Sequence, residues 1–348
     1  MKHVDYIIVG CGLAGIAFCE ELRALGKTFC VFDNNSQQSS LVAAGLYNPV
    51  ILKRFTKVWK SKEQLALLDF YYTRLEKLLD VKLDYKFPIL RKFSSVEEQN
   101  LWFQATDKPG LEPYLSLDIK KNTNPNIEAN FGFGTVKSTG RIETSRLIYH
   151  YKKYLKSINV LIEETFDYSV LVSEETSVIY KDYTSKHIVF AEGFGIRNNP
   201  FFNHLPLYGT KGEVLTIKAP KLQLDYAIKS SVFIIPEGND TYRVGSTYNR
   251  DDKTNKPTVA GKKELVSKLE TLMTCEYEII DHKAGVRPTV KDRRPLIGRH
   301  HQHQSIYLLN GLGSRGVMVS PYISKQLYAF IEHNEPLNPE INCNRFNP

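Results

Sequence analysis

The chain has 348 residues, of which 42% are hydrophobic, and its formal charge is +8. This length is enough to bury the cores of about two domains. It contains no apolar run long enough to cross a bilayer, and the first strand-like segment leaves no room for a signal peptide. We therefore expect a soluble, cytoplasmic protein with no membrane partner. The five cysteines form no C-x-x-C pair, so neither disulfides nor a metal site is expected.

The N-terminal residues combine a strand, a glycine turn and a helix. The apolar segment 4–9 runs into G-x-G-x-x-G at 10–15, and a helix and a second strand ending at Asp33 follow. Such a unit sets the helix N-terminus against a pyrophosphate, and the acid can bind a ribose hydroxyl. The pattern predicts dinucleotide binding but does not separate NAD from FAD. The residues expected to contact the dinucleotide here are Gly10, Gly12, Leu13, Ala14 and Gly15.

A basic stretch follows the second strand. No acidic residue lies between Asp33 and Glu63. The stretch indicates an anionic partner or a solvated charged surface. Its cations include Lys53, Arg54, Lys57, Lys60 and Lys62.

The rest of the chain alternates between helical and strand patterns. Segments 62–80 and 143–157 have the apolar spacing of helices that face a core, whereas 212–219 and 231–247 alternate like strands. Segment 305–310 is again a buried-strand pattern that leads to a glycine turn and a helix. The nucleotide-binding domain is therefore predicted to be discontinuous, with a sheet-rich insertion.

Six stretches together resemble the FAD-dependent D-amino-acid oxidase superfamily, which includes glycine oxidase and sarcosine oxidase. The resemblance covers nearly the whole chain, and the order and spacing of the stretches match the family pattern. It favours FAD over NAD. The stretches are GCGLAG with Asp33, AAGLYNP (43–49), HIVFAEGFG (187–195), GTKGEVL (209–215), AGVRPTVKDRRPLIGR (284–299) and NGLGSRG (310–316).

This resemblance implies an α/β fold in which a Rossmann-like FAD-binding domain is interrupted by an antiparallel-sheet (α+β) substrate domain. The FAD-binding domain is expected at 1–82, 138–206 and 280–348, and the substrate domain at 83–137 and 207–279.

The resemblance also implies cofactor contacts beyond the first glycine turn. Ala44, Gly45 and Leu46 would line the isoalloxazine ring, Gly193 would let the backbone approach the dinucleotide, and the backbone of Phe166 would contact adenine. Glu192 stands where the family has a small or hydroxylated residue. The turn before the last helix would stabilise charge on the flavin through Gly313, Ser314, Gly316 and Val317. That helix is predicted to begin at Ser320 and Pro321 or a few residues earlier.

Two arginines are the candidate catalytic residues. In the family the arginine of the G-x-R-P motif, here Arg287, faces the pocket, where it could hold a carboxylate with two hydrogen bonds. An ion pair with Asp292 is the alternative. Arg315 could face the flavin, the substrate or the phosphates, because the second substrate arginine of glycine oxidase lies one position earlier. The pocket tyrosine of glycine oxidase is Phe233 here, and Tyr248 is a speculative substitute.

The resemblance implies that a small amine or amino acid is oxidised at its C–N bond by hydride transfer to flavin N5, with oxygen reoxidising the flavin. The turn containing Arg315 also resembles the flavin domain of the bifunctional enzyme of tRNA wobble-uridine modification. A carboxymethylamino group on tRNA is therefore the second expected substrate. A third hypothesis is a non-catalytic flavin-binding component of a complex.

Overall fold

The computed structural model describes residues 1–346. Its α-helices are α1 Leu13–Ala24, α2 Ser39–Val42, α3 Ser61–Leu79, α4 Val96–Thr106, α5 Thr144–Ser157, α6 Val259–Glu270 and α7 Gly316–His333. Its strands are β1 Lys2–Val9, β2 Phe29–Phe32, β3 Leu46–Tyr47, β4 Val50–Ile51, β5 Thr56–Lys57, β6 Asp84–Lys86, β7 Ile89–Lys92, β8 Leu115–Lys120, β9 Phe133–Val136, β10 Gly140–Ile142, β11 Leu161–Ile162, β12 Leu171–Ser173, β13 Val178–Tyr180, β14 Tyr183–Phe190, β15 Thr210–Lys218, β16 Ala227–Lys229, β17 Phe233–Gly238, β18 Thr241–Gly245, β19 Glu278–Arg287, β20 Leu296–Arg299 and β21 Ile306–Asn310.

The first sheet is built around β1, which pairs in parallel with β2 and β14. The carboxyl half of β14 pairs in parallel with β21, and its amino half forms a hairpin with β13. Ile7 and Ile8 of β1 are fully buried on opposite faces, as a parallel strand covered on both sides requires. The carboxyl ends of β1, β14 and β21 therefore lie side by side at one edge of the sheet.

The second sheet has eight strands in the order β19-β15-β18-β17-β16-β7-β9-β8, and all neighbours are antiparallel except β16 and β7. Its strands come from the two segments expected to form the insertion and from β19. Since β19 runs from Glu278 to Arg287, it crosses the boundary expected at 279. Two further small sheets, β3-β10-β6 and β4-β5, complete the pairing. The predicted mixed α/β fold with an antiparallel insertion is confirmed by this architecture.

The last helix begins at Gly316, so the earlier of the two expected starts is the observed one and Ser320 is not its N-cap. Pro321 lies inside the helix, where it has no N–H to donate to the carbonyl of Val317. The hydroxyl of Tyr72 on α3 donates to that carbonyl instead, at 2.8 Å. The proline is therefore tolerated because a buried side chain replaces the missing hydrogen bond. Within residues 1–346, no helix is both long and apolar enough to cross a membrane.

Replacing Tyr72 by Phe should lower the free energy of unfolding by about 1–3 kcal/mol, because a buried carbonyl loses its donor. Tyr71→Phe is the matched control, since the Tyr71 hydroxyl makes no hydrogen bond to a residue that the structure describes. Urea denaturation of the two variants and the parent checks the difference. Equal losses in both variants would contradict the role of Tyr72.

Candidate functional site

A cleft of about 450 Å³ opens between the two sheets. One wall consists of the turns that follow β1, β14 and β21, and the other consists of residues from β15 to β19. This volume suits a small organic ligand. Every residue predicted to bind a cofactor or substrate lines the cleft except Gly15 and Phe166.

The first glycine turn is held by close backbone contacts. Gly10 has φ +102°, and a Cβ atom there would lie 2.6 Å from the carbonyl oxygen of Ala191. Gly15 lies outside the cleft, but a Cβ on it would lie 2.0 Å from the oxygen of Gly10. Gly12 is the N-cap of α1 and has no side chain to cap the helix, and the Leu13 N–H donates to Ser40 Oγ at 3.3 Å. The N-terminus of α1 therefore faces the cleft with donors available for a phosphate.

Asp33 lines the cleft as predicted, but it also has protein partners. Its Oδ1 accepts a hydrogen bond from the Cys11 backbone N–H at 3.1 Å, and its Oδ2 forms an ion pair with Lys152. Lys152 lies on α5 and lines the cleft. The carboxylate is thus fixed beside the glycine turn. Lys152 could not be assigned from local sequence pattern, because it is 119 positions away from Asp33.

The loop at 44–46 runs along the middle of the cleft. Gly45 has φ +69°, and a Cβ there would lie 1.8 Å from the oxygen of Ile142. The Ile142 N–H donates to the Gly45 oxygen at 3.0 Å, and Arg243 Nη1 donates to the Ala43 oxygen at 3.1 Å. Both sides of this loop are therefore anchored, so it offers a fixed backbone surface to a flat ligand.

The strand end after β14 brings Glu192 into the cleft wall. Its carboxylate accepts hydrogen bonds from Asn199 Nδ2, at 2.7 Å, and from the Tyr168 hydroxyl. Burial raises the pKa of Glu192 to about 7. The next residue, Gly193, has φ +55° and has no atom within 4 Å of a Cβ position. The cleft is therefore open at Gly193, where a ligand could approach the backbone.

Phe166 lies behind the cleft wall, in a cluster of buried apolar side chains that includes Phe32 and Tyr180. Its ring stacks on that of Tyr180, with centroids 4.0 Å apart, and also meets the ring of Phe32. Its side chain is therefore part of the core. The expected contact between its backbone and adenine stays a prediction.

The turn before α7 reaches the cleft through Gly313, Ser314, Gly316 and Val317. Arg315 is the N-cap residue of α7, and this N-terminus has neither a side-chain cap nor an acid in its first turn. Burial, followed by the positive charges of Arg293 and Arg294, lowers the pKa of Arg315. The N-terminus of α7 therefore combines free backbone N–H donors with the Arg315 guanidinium, which has the cations Arg293 and Arg294 nearby.

Arg287 extends from the end of β19 across Gly212, where a Cβ atom would lie 1.9 Å from its Nη2. Its Nη2 donates to Ser246 Oγ at 2.8 Å. Asp292, the alternative partner, pairs with Arg345 at 2.9 Å. Among the ion pairs of residues 1–346 none involves Arg287, and burial lowers its pKa. The guanidinium is therefore held in the cleft without a carboxylate partner.

The remaining aromatic predictions also fall in the cleft. Phe233 and Tyr248 both line it, and the Tyr248 side chain is more exposed than the arginines. A hydrogen bond from Thr210 lowers the pKa of Tyr248, and the nearby positive charge of Arg250 lowers it further. Sequence reasoning missed Lys229, which ends β16 and also lines the cleft. A lysine in a short strand carried no recognisable pattern.

Glycine turns at two strand ends, two helix N-termini that face the cleft and a second sheet that covers them define an α/β dinucleotide-binding protein. The backbone N–H donors fit the pyrophosphate of FAD, and the fixed Asp33 carboxylate fits its ribose as an acceptor. The family model for FAD dependent oxidoreductases matches residues 5–329. The chain belongs to this family and is an FAD-dependent enzyme, which confirms the predictions of family, cofactor and oxidoreductase class.

Individual relatives agree with this assignment. Glycine oxidase of Bacillus subtilis is 22% identical over 98% of this chain and 95% of its own length. The bifunctional protein MnmC of tRNA 5-methylaminomethyl-2-thiouridine biosynthesis from Campylobacter jejuni subsp. doylei is 21% identical, but the match covers 56% of its length. The structure of glycine oxidase from Bacillus cereus superimposes with a TM-score of 0.78 at 20% identity over 96% of each chain. L-alpha-glycerophosphate oxidase from Mycoplasma pneumoniae, with FAD bound, gives a TM-score of 0.77 at 16% identity over 98% of this chain and 99% of its own.

Gly10 and Gly12 should respond differently to replacement by alanine. Gly10→Ala should destabilise the flavin-free protein by about 2 kcal/mol or more, because positive φ alone costs an L-residue about 1–2 kcal/mol. Gly12 has an extended backbone, and a Cβ there meets only Ser40 Oγ at 3.1 Å. Gly12→Ala should therefore leave the thermal midpoint nearly unchanged while weakening FAD binding. Thermal melts of apoprotein and fluorescence titration with FAD check both effects, and a Gly12→Ala protein that binds FAD normally would contradict the site.

Glu192→Gln should stabilise the protein at pH 8 and have a smaller effect at pH 5. Because the folded-state pKa of about 7 exceeds the ordinary value, the folded protein binds more protons than the unfolded chain in this range. The stability of the parent therefore falls as pH rises through this window, and an uncharged amide avoids that loss. Thermal midpoints of both proteins from pH 5 to pH 8 check this, and a constant difference would be inconsistent with a buried titrating carboxyl.

Proposed function

We propose that this enzyme oxidises the C–N bond of a small amine or amino acid that carries a carboxylate. The observation that supports this most directly is Arg287, a buried guanidinium that points into the cleft without an acidic partner. An unpaired buried cation is unfavourable unless a ligand supplies the anion. Its planar fork of donors matches a carboxylate, which would accept two parallel hydrogen bonds.

The residues around Arg287 would fix its orientation toward such a substrate. Ser246 Oγ accepts from one terminal nitrogen, and the oxygen of Thr247 lies 3.5 Å from the other. Gly212 leaves the space that the guanidinium fills. Holding the carboxylate in one place restricts where the amine-bearing carbon can lie, and such positioning contributes much of the catalysis in this class of reaction.

FAD, when bound, supplies the two-electron acceptor for this oxidation, and we propose that oxygen restores its oxidised form. The chain would hold the cofactor through the turns at Gly10–Gly15 and Gly313–Val317, with Asp33 on the ribose and the loop 44–46 along the ring. The N-terminus of α7, with no acid in its first turn, would stabilise negative charge nearby. We also propose the division into FAD-binding and substrate domains at the segments predicted above.

A second candidate is oxidation of a carboxymethylamino group on tRNA. It is favoured by the positive charges near the cleft. The charge of Arg293 helps to lower the pKa of both Arg315 and Tyr248, and Lys53 lines the cleft. The bifunctional tRNA-modifying relatives support it as well, although this chain spans only about half of their length (56%). A tRNA affinity that falls steeply with salt would favour this candidate, since a small-substrate enzyme has no reason to show it.

Replacing Arg287 by Met should reduce the rate of anaerobic flavin reduction by an amino acid at low concentration by at least about 100-fold. Hydrogen bonds to charged groups contribute about 1.5–3 kcal/mol each, and two of them would be lost. Stopped-flow absorbance of the FAD-loaded protein, with a panel of small amines and amino acids, measures the effect. Arg146→Met, an exposed change on α5, is the control.

Two results would contradict the proposal. If no amine in the panel reduces the fully bound flavin, the substrate class is wrong. If Arg287→Met reacts like the parent with the best substrate, the carboxylate is not held by Arg287.

A further inference from the structure

Lys229 is another cation that lines the cleft, and it lies on the opposite side of Phe233 from Arg287. It ends β16 and lines the cleft, with its Nζ 5.7 Å from the centroid of the Phe233 ring. No ion pair joins Lys229 to any residue in the described range 1–346. Its charged neighbours are Arg91 and Lys268, which are themselves paired with acids.

Strand register sets how far apart the two cations lie. Lys229 is directly opposite Phe233, Phe233 is opposite Gly245, and Gly245 is opposite Val214. The Arg287 guanidinium lies over Gly212 on the same strand as Val214. The strands that carry the two cations, β16 and β19, are four strand spacings apart, about 19 Å. Because the Arg287 guanidinium reaches over Gly212 of β15, it lies about three spacings, or about 14 Å, from the strand of Lys229, and the Lys229 side chain reduces that distance.

The surface between the two cations is apolar. The Phe233 ring lies over Gly245, where a Cβ atom would be 2.8 Å from its Cζ. Ile89 and Val214 line the cleft beside it. This part of the cleft suits a short hydrocarbon chain with an acidic group at each end.

No acidic side chain in residues 1–346 forms an ion pair with Lys229. Burial, followed by the positive charges of Arg91 and Lys268, lowers its pKa to about 8. A partly buried cation among like charges is unfavourable. An anionic ligand in the cleft would offset this penalty.

We propose that Lys229 binds a second acidic group of the substrate, so that the enzyme acts on an amine with two carboxylates, one at Arg287 and one at Lys229. The inference rests on the proposed function and names its substrate class: an acidic amino acid or an amine carrying two carboxyalkyl groups. Lys229 acts as a specificity residue. The amine would lie between the two anchored ends.

Redox-inert acids test this without turnover. FAD-loaded protein is titrated at pH 7 with succinate, glutarate and adipate and with the monocarboxylates of equal chain length, and the shift of the flavin absorption spectrum gives each dissociation constant. We expect at least one dicarboxylate to bind about tenfold more tightly than its monocarboxylate. Lys229→Met should reduce this ratio to less than twofold without changing the monocarboxylate affinity, and Lys229→Arg should keep it.

Two further variants serve as a control and as a substitute for Lys229→Met. Lys268→Met removes a neighbouring exposed charge and should keep the preference for dicarboxylates. Lys229→Gln replaces Lys229→Met if the latter fails to retain FAD. The inference is wrong if the parent shows no dicarboxylate preference, or if Lys229→Met leaves that preference intact. If no amine reduces the flavin of Lys229→Met while its preference for dicarboxylates is unchanged, Lys229 acts as a base and does not bind the second carboxylate.

The same titration separates the two proposals. If amines reduce the flavin but dicarboxylates have no advantage, the second-carboxylate inference alone fails. If dicarboxylates bind preferentially but no amine reduces the flavin, the proposed oxidation fails and the two-anion site stands.

Discussion

The close approach of backbones at the carboxyl ends of β1 and β14 is the constraint on which the cleft depends. A Cβ at Gly10 would lie 2.6 Å from the Ala191 oxygen, and one at Gly15 would lie 2.0 Å from the Gly10 oxygen. These contacts bring the strand ends and α1 together without intervening side chains. The N-terminal N–H groups of α1 consequently face the cleft, where an anion is favoured both by unpaired donors and by the helix dipole.

Charge is distributed very differently inside the cleft and behind it. Behind the loop 44–46, Arg141 pairs with Glu143 and Glu237, and Arg243 pairs with Glu237, so both cations have acidic partners within the protein. Arg243 also anchors the loop through the Ala43 oxygen. Within the cleft, Lys152 pairs with Asp33, whereas Arg287 and Lys229 also line the cleft and form no ion pair with an acid in residues 1–346. The part of the cleft around these two cations therefore has a charge complementary to an acidic ligand.

Local patterns predicted the elements that local physics determines. The glycine turn, the following helix and the long apolar faces of α3 and α5 were all recognisable, because spacing and turn chemistry act over a few residues. The start of α7 could not be decided from local pattern, because a proline such as Pro321 is typical of the first helical turn. Pro321 instead lies inside the helix, where the distant Tyr72 hydroxyl donates to the carbonyl that the proline leaves without a donor. Arg243 and Lys152 could not have been assigned, because their partners at Ala43 and Asp33 are more than a hundred positions away.

Arg287 ends β19 and Arg315 lies in the turn between β21 and α7, yet a backbone hydrogen bond connects their segments. The Gly313 N–H donates to the oxygen of Pro288 at 3.1 Å, which joins the turn before Arg315 to the residue after Arg287. The bond fixes the end of β19 against the N-terminus of α7. A shift of one sheet against the other would therefore have to break this contact before it could separate the two guanidinium groups. The backbones of the two arginines are thus held in place by a main-chain contact, and Ser246 Oγ orients the Arg287 guanidinium, which together favour reproducible positioning of a bound ligand.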